Sequence, residues 1–415
     1  MATAPHSPNL PAASGFPLSP EVRRAAILTI SLVVLCQSAQ GLVQGGLALF
    51  LPRIRPELDL TFTQGGSLSS VSTLVYAFMQ IPAGYLVDRF GPRRLFFIGA
   101  LGTSVLACSF ALIHSYPLLL VNQGAAGFFR SLLFAPGLVL MASWFPPNRR
   151  ATAMGLFVAG GFTSNIVLNL IGPTLEAWFG WRVTFLIFAA LGIAAALAYG
   201  RLAKERPRSP GRAASMREAL SLFRYRVMWV LGGMQFVRFF VALGVGFWLP
   251  SLLVADKGFS LHTTGQLIAL SAALTVPSNF LGGYISDRLH NPLGVIAFSM
   301  AALAASSVLI VLAPSTVMLI AAMCVNAVFV QFYFGPLFAV PIDLLGARRA
   351  GISSGFSNLF ANLGGFASTV GLGAVKDATG SFAAGFFAIA ACCMIGIGFT
   401  AYLAMIQRHW TPPED

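Results

Sequence analysis

The sequence predicts an all-α membrane protein with twelve transmembrane helices in two pseudo-symmetric six-helix bundles. Three observations predict it. The 415 residues are 57% hydrophobic and only 9% charged, whereas an ordinary soluble domain carries roughly 25% charged residues. Apolar runs of about 20 residues recur from end to end, each long enough to cross a hydrocarbon core of roughly 30 Å. The sequence also repeats itself at an offset of 199 residues: Gly84-Tyr85-Leu86-Val87-Asp88-Arg89 matches Gly283-Tyr284-Ile285-Ser286-Asp287-Arg288, and Arg149-Arg150-Ala151 matches Arg348-Arg349-Ala350 in the same register.

Residues 1–20 hold five prolines and no long apolar run, which predicts a disordered tail. Arg23 and Arg24 then precede an apolar run that is too long for a signal-peptide core, so it reads as the first span. The first bundle, 21–200, places its spans near 25–51, 64–87, 94–113, 117–143, 151–176 and 182–200. Residues 201–226, rich in Arg, Pro and Ser, form a polar linker. The second bundle, 227–407, places spans near 227–254, 263–285, 292–312, 316–343, 350–375 and 380–406, and 408–415 is a short tail. Gly41-x-x-x-Gly45 and Gly351-x-x-x-Gly355 are small-residue patterns that let helices approach closely.

The net charge of +13 reports orientation. With the N-terminus in the cytoplasm, 19 of the 26 Lys and Arg residues fall on cytoplasmic segments and five on the opposite side, with Arg130 and Arg238 left inside spans. That bias is the positive-inside signature of a cell inner membrane protein with both termini cytoplasmic. The basic excess therefore faces anionic lipid rather than nucleic acid. The five cysteines lie within spans without a C-x-x-C pair, and the five histidines lie in tails, loops or span ends. No metal site, disulfide framework or cofactor is indicated. No Ser/His/Asp set, H-E-x-x-H or paired membrane acid occurs, which argues against an enzyme.

Arg130 lies in the apolar run 117–144 and Arg238 in the run 227–254, each ten or more residues from the nearer end. An arginine at mid-membrane costs roughly 3 kcal/mol on insertion scales, and it cannot shed its proton. No Asp or Glu lies on the central part of either run. A ligand of opposite charge explains both residues, so the chain reads as a membrane carrier for a small anion. A guanidinium presents a fork of donors that pairs bidentately with carboxylate.

The loop Gly84-Tyr-Leu-Val-Asp-Arg-Phe-Gly-Pro-Arg-Arg94 between the second and third spans resembles the signature loop of the major facilitator superfamily, with Gly283–Arg288 as its weaker echo. The resemblance implies two bundles around a central cavity, rocker-switch alternating access, and a cavity lined by the first, fourth, seventh and tenth helices. Arg130 and Arg238 fall on the fourth and seventh. Arginines there are similar to those of organic-anion branches, the anion–cation symporters and oxalate–monocarboxylate carriers. Proton-coupled members of the former usually carry membrane acids, and this chain has none near mid-depth. A co-transported proton and a counter-anion both stay open as coupling partners. Nitrate carriers place their arginines on the second and eighth helices, which this chain does not match.

The expected substrate-binding residues are Arg130, Arg238, Gln40, Gln44, Gln331, Tyr333 and Tyr76. Gln40 and Gln44 are one turn apart on the first helix, and the repeat register sets Gln40 beside the counterpart of Arg238. The pairs Asn165/Asn169 and Asn358/Asn362 are expected to bond between helices. Asp88, Arg89, Arg93, Asp287 and Arg288 are expected gating residues whose contacts break when the cytoplasmic side opens. The expected partners are a small organic anion and the lipid bilayer, with the carrier a monomer. An empty carrier would reorient with two uncompensated charges, so exchange is expected to outrun net flux. Two alternatives stay open: a proton-driven exporter of drug-like hydrophobic compounds, and a non-transporting membrane sensor or scaffold.

Overall fold

The computed structural model describes residues 20–145, 150–204, 226–337, 340 and 347–407. The expected tails, most of the linker, and the Arg149 and Arg348–Arg349 motif positions or their side chains lie outside the described residues. In the first half, helices α1 (Pro20–Glu57), α2 (Phe62–Phe90), α3 (Pro92–Leu112) and α4 (Tyr116–Trp144) precede one long run, Arg150–Leu202. Gly180 breaks that run with φ 75° and ψ 163°, so its arms form α5 (150–179) and α6 (181–202). The second half comprises α7 (Arg226–Ala255), α8 (Leu261–Leu289), α9 (Pro292–Leu312), α10 (Thr316–Phe332), α11 (Ala347–Thr379) and α12 (Ala383–Gln407). By length and composition, nine of the described helical runs can cross a membrane, the α5–α6 run counting as one. The other two, α2 and α11, pack on each other where the bundles meet.

The internal repeat is visible in the helix boundaries. Helices α2 and α8 start and stop 199 residues apart, and α3 and α9 start and stop 200 apart. Local chemistry sets these ends. Thr61 and Gln64 form a reciprocal capping box at the start of α2. Ser260 caps α8, and Asn291 caps α9 by accepting from Gly294 N at 2.9 Å. Pro92 and Pro292 occupy the first turns of α3 and α9, where no N–H is needed.

The tenth span differs from the expected continuous helix over 316–343. It breaks at Tyr333 (φ −93°, ψ 5°) and is helical again over 334–337. Pro336 explains the break, because it lacks the N–H that would bond the Phe332 carbonyl one turn earlier.

The bundles meet along α2–α11, α5–α8 and α1–α7. Hydrogen bonds that cross between described residues of the two bundles all lie toward the α1–α2 and α7–α8 loops. Two glycines bring the backbones together there. A Cβ on Gly66 would overlap the Thr369 carbonyl, and one on Gly265 would overlap the Asn169 carbonyl. These contacts are related by the repeat, since Gly66 and Gly265 are 199 apart and Asn169 and Thr369 are 200 apart. Within the first bundle, Gly41 and Gly45 seat α1 on Ser164 and Leu168 of α5. The packing of Gly351 and Gly355 lies outside the described residues.

The asparagine pairs behave differently from expectation. Asn169 Nδ2 donates to Asn165 O at 2.8 Å, and Asn362 Nδ2 to Asn358 O at 2.7 Å, both within one helix. At i, i+4 spacing a short amide reaches its own helix's carbonyl before a neighbour's. The amides that bridge helices are instead Asn122, from α4 to Leu106 O and Ser109 of α3, and Asn326, from α10 to Ser306 and Ser307 of α9.

Candidate functional site: an arginine-bearing interior

Arg130 sits 14 residues into the 29-residue α4, so about 20 Å of helix separates it from either end. Its guanidinium carbon lies 4.0 Å from the centroid of the Tyr76 ring on α2, a cation–π contact. Phe134, one turn further along α4, packs edge-on against that same ring. Gln80 neighbours the Tyr76 hydroxyl, and its Nε2 has no hydrogen-bond partner among the described residues.

Arg130 also lines a void of about 60 Å³ inside the first bundle, with Gln40 and Gln44 of α1, Ser69 and Ser72 of α2 and Gln123 of α4. The void can hold several waters. Gln40 Nε2 donates to Gln44 Oε1 at 3.0 Å, so the two amides act as one polar face. Phe110 and Phe185 border the void toward the α1–α2 loop, where Phe185 belongs to a cluster with Phe50 and Trp181.

Arg238 on α7 is 8% exposed. Its Nη1 donates to Gln235 Oε1 at 2.9 Å, and its guanidinium lies over Phe239 (4.8 Å) and Phe334 (4.5 Å). Tyr333, fully buried at the break in α10, interacts electrostatically with Arg238, and its hydroxyl has no hydrogen-bond partner among the described residues. The side-chain oxygen of Gln331 is likewise buried without one. An unmet buried polar atom costs about 1–3 kcal/mol, which a water or another polar group can offset. The two halves share a plan, because Phe134 and Phe334 are 200 residues apart and Pro136 and Pro336 follow each by two.

Of the seven residues expected to bind substrate, Arg130, Gln40, Gln44 and Tyr76 form one cluster in the first bundle. Arg238 and Tyr333 meet in the second, with Gln331 two residues before Tyr333 at the same helix break. Sequence reasoning missed Gln80, Gln235, Gln123 and the two phenylalanines. Gln235 had a legible signal, an amide one turn before a buried arginine. Pro336 likewise signalled the helix break at Tyr333.

The expected gating residues lie at the opposite end from the cross-bundle bonds. Arg89 lies beside the Phe90 ring at 5.4 Å, and Arg93 Nη2 donates to Gly200 O at 3.2 Å. Asp287 and Arg288 are exposed, with no ion pair to another described residue, and the Asp88 side chain lies outside the described residues.

The ion pairs cluster instead near the α1–α2 and α7–α8 loops. Glu57 at the end of α1 accepts from Arg182 at 2.8 Å and from Trp181. Its counterpart 199 residues on, Asp256, accepts from Lys376 at 2.6 Å and from Phe382 N. Between them the Phe62 ring packs on Trp248 and Phe382 of the other bundle.

Comparison with known proteins agrees with this architecture. The chain is 28% identical over 389 residues to a probable sulfoacetate transporter of Cupriavidus necator, covering 85% of this chain and 87% of that one. It is 23% identical over 358 residues to a nitrite extrusion protein of Bacillus subtilis (85% and 87% covered) and 25% identical over 395 residues to a hexuronate transporter of the same species (88% and 90%). A bacterial homolog of the human lysosomal transporter Spinster, in an inward-facing and occupied conformation, superposes with a TM-score of 0.81 at 18% identity, over 94% of this chain and 99% of that one. The sequence profile of the Major Facilitator Superfamily matches residues 33–369, and this chain belongs to that family of multi-pass membrane transporters rather than to any class of enzyme.

Proposed function

We propose that this protein is a secondary carrier of small carboxylate-bearing anions, with Arg130 and Arg238 as its charge-recognition groups. The observation that carries this reading is the setting of the two arginines. Both lie at mid-helix against aromatic faces and neutral amides, whereas the chain's 13 acidic residues all sit in tails, loops or at span ends. Relatives whose names cite sulfoacetate and hexuronate, both carboxylates, support the ligand class. The relative named for nitrite extrusion makes an inorganic anion the competing outcome.

Both termini are cytoplasmic in this reading, which puts the bonded end of the bundles on the outer side. Transport proceeds by rocking the bundles about the bound anion. An empty carrier must pass through a closed state with two positive charges and no substrate anion, each charge costing roughly 3 kcal/mol at mid-membrane. Even half of that sum, about 3 kcal/mol, makes empty return more than a hundredfold slower than loaded return. Exchange of one anion for another therefore outpaces net flux.

The test is counterflow in proteoliposomes against monocarboxylates, dicarboxylates, sugar acids, sulfoacetate, nitrite and nitrate. Uptake of a labelled carboxylate that is strongly stimulated by internal carboxylate, and severely lost in both Arg130→Lys and Arg238→Lys, is the expected result. Lysine keeps the charge but lacks the planar fork. Wild-type rates in both lysine variants, or transport of nitrite and nitrate alone, would overturn the proposal.

A further inference from the structure

A groove lies between α3 and α6, at the end of the carrier opposite the cross-bundle bonds. Arg93 and Arg94, in the first turn of α3, and Arg201, in the last turn of α6, line it with Phe97 and Leu197 around a volume of about 510 Å³. Arg93 Nη2 donates to Gly200 O at 3.2 Å and so ties one wall to the other. Gly200 makes room for the Phe97 ring, since a Cβ there would lie 2.7 Å from it. Arg94 and Arg201 are exposed, and none of the three arginines forms an ion pair with another described residue.

A helix N-terminus favours anions. Two arginines in the first turn of α3 therefore stand against their own helix dipole, and a bound anion relieves both. The internal repeat shows that the scaffold does not need them. Helices α3 and α9 start 200 residues apart. At that offset Arg93 and Arg94 correspond to Leu293 and Gly294, and residues 400–402 hold no Lys or Arg.

The groove is continuous with apolar surface. On α3, Ile98 and Val105 follow Arg94 on one face, and on α6, Leu197 precedes Arg201 by one turn. All three are exposed, Ile98 by 44%, Val105 by 49% and Leu197 by 40%. Cations at the end of two spans, above apolar stripes on the same helices, match the layout of a phospholipid. Its phosphate sits at the membrane surface and its chains run along the helices.

We propose that this groove binds an anionic phospholipid, with Arg93, Arg94 and Arg201 around the phosphate and Ile98 and Leu197 along the acyl chains. Basic pockets between transmembrane helices take such headgroups.

The test titrates the full-length carrier in neutral detergent with phosphatidylglycerol, phosphatidylcholine and glycerol 3-phosphate, and reads bound lipid by native mass spectrometry. Phosphatidylglycerol should bind well ahead of phosphatidylcholine. Glycerol 3-phosphate lacks the chains and should not displace it at equal concentration. A basic residue near a membrane surface strengthens binding about fivefold, so the triple variant Arg93→Gln/Arg94→Gln/Arg201→Gln should raise the phosphatidylglycerol Kd roughly a hundredfold. The variant Arg23→Gln/Arg24→Gln/Arg288→Gln removes three exposed arginines elsewhere at the same end and should leave that Kd near wild type. Arg94→Gln alone changes one exposed side chain, which guards against misfolding of the triple variant, and should raise the Kd about fivefold. Equal binding of the two lipids, equal loss in both triple variants, or an unchanged Kd in Arg94→Gln would overturn the proposal. So would displacement by equimolar glycerol 3-phosphate, which would assign the groove to a soluble anion.

Discussion

Replacing Asp377 by alanine should loosen the bonded end of the carrier. Asp377, just beyond the expected eleventh span, reaches from one bundle to the first turn of α2 in the other. Its Oδ1 accepts from Phe62 N at 2.9 Å, and its Oδ2 accepts from Thr63 N at 2.7 Å and Thr63 Oγ at 2.6 Å. The start of α2 shows why this matters. Thr61 Oγ takes Gln64 N, and the Thr61 carbonyl takes Gly65 N. The first two helix donors, Phe62 N and Thr63 N, are left for Asp377, so α2 is fully capped only while the bundles touch. Removing an N-cap costs about 0.5–2 kcal/mol. The site is exposed and water replaces the lost acceptor, so a value near 1 kcal/mol is expected. That is a roughly fivefold shift away from the bonded state.

The assay uses a buried reporter. Ser70 is fully buried at the interface, bonded to Thr369 and to the Phe366 carbonyl. In a background lacking the native cysteines, a Ser70→Cys thiol should react with a membrane-impermeant maleimide only when the bundles part. Adding Asp377→Ala should raise that rate roughly fivefold, and Asp377→Asn should fall between. Equal rates with and without Asp377 would refute the reasoning.

The pH dependence has a definite sign. Burial pushes the Asp377 carboxyl up, but bonds from the Thr63 hydroxyl and the Thr63 and Phe62 amides outweigh it and hold the group below its usual range. A depressed pKa stabilises the bonded state above the open-state value, about 4 for an ordinary aspartate. That contribution is lost only as pH falls through the depressed value. The labelling ratio between Asp377→Ala and its parent should therefore stay constant from about pH 8 down to about pH 5. A ratio that collapses within that window would show that the carboxyl is not held as described.

Two further outcomes test the architecture. Gly66→Ala and Gly265→Ala each place a Cβ against a carbonyl of the other bundle, so each should raise Ser70→Cys labelling and slow exchange; wild-type values in both would show that the close approach is dispensable. Cysteines introduced between 205 and 225 should resist impermeant reagents in intact cells, and external labelling there would invert the assigned orientation.

The site was legible where a residue conflicts with its own surroundings in the sequence. Arg130 and Arg238 are charges in apolar runs, and the runs alone predict their mid-helix positions. Gln40 and Gln44 share a face by spacing alone, and they bond each other. The aromatic partners carry no such conflict, because Phe134 and Phe334 are two among 36 phenylalanines of an apolar chain. Only three-dimensional proximity distinguishes them. The cross-bundle contacts were illegible for a related reason. Asp377 and Phe62 are 315 residues apart, and no periodicity links a carboxylate to a helix N-terminus in another bundle.

The internal repeat extends beyond the two signature loops. The register that aligned the two signature loops also aligns Glu57 with Asp256, Gly66 with Gly265 and Pro136, within one residue, with Pro336. In each pair the two halves use the residue similarly: an acid binding the next helix pair, a glycine at the bundle interface, a proline past mid-helix. The proline pair has unequal effects. α4 stays helical through Pro136, whereas α10 breaks at Tyr333. The arginines follow the same asymmetry. Arg130 stands on an unbroken helix beside a polar void, and Arg238 faces the helix that is broken. The halves thus share a scaffold and differ where the arginines stand: Arg130 lines its void with the amides of Gln40, Gln44 and Gln123, whereas Arg238 lies against Phe239 and Phe334 and bonds Gln235.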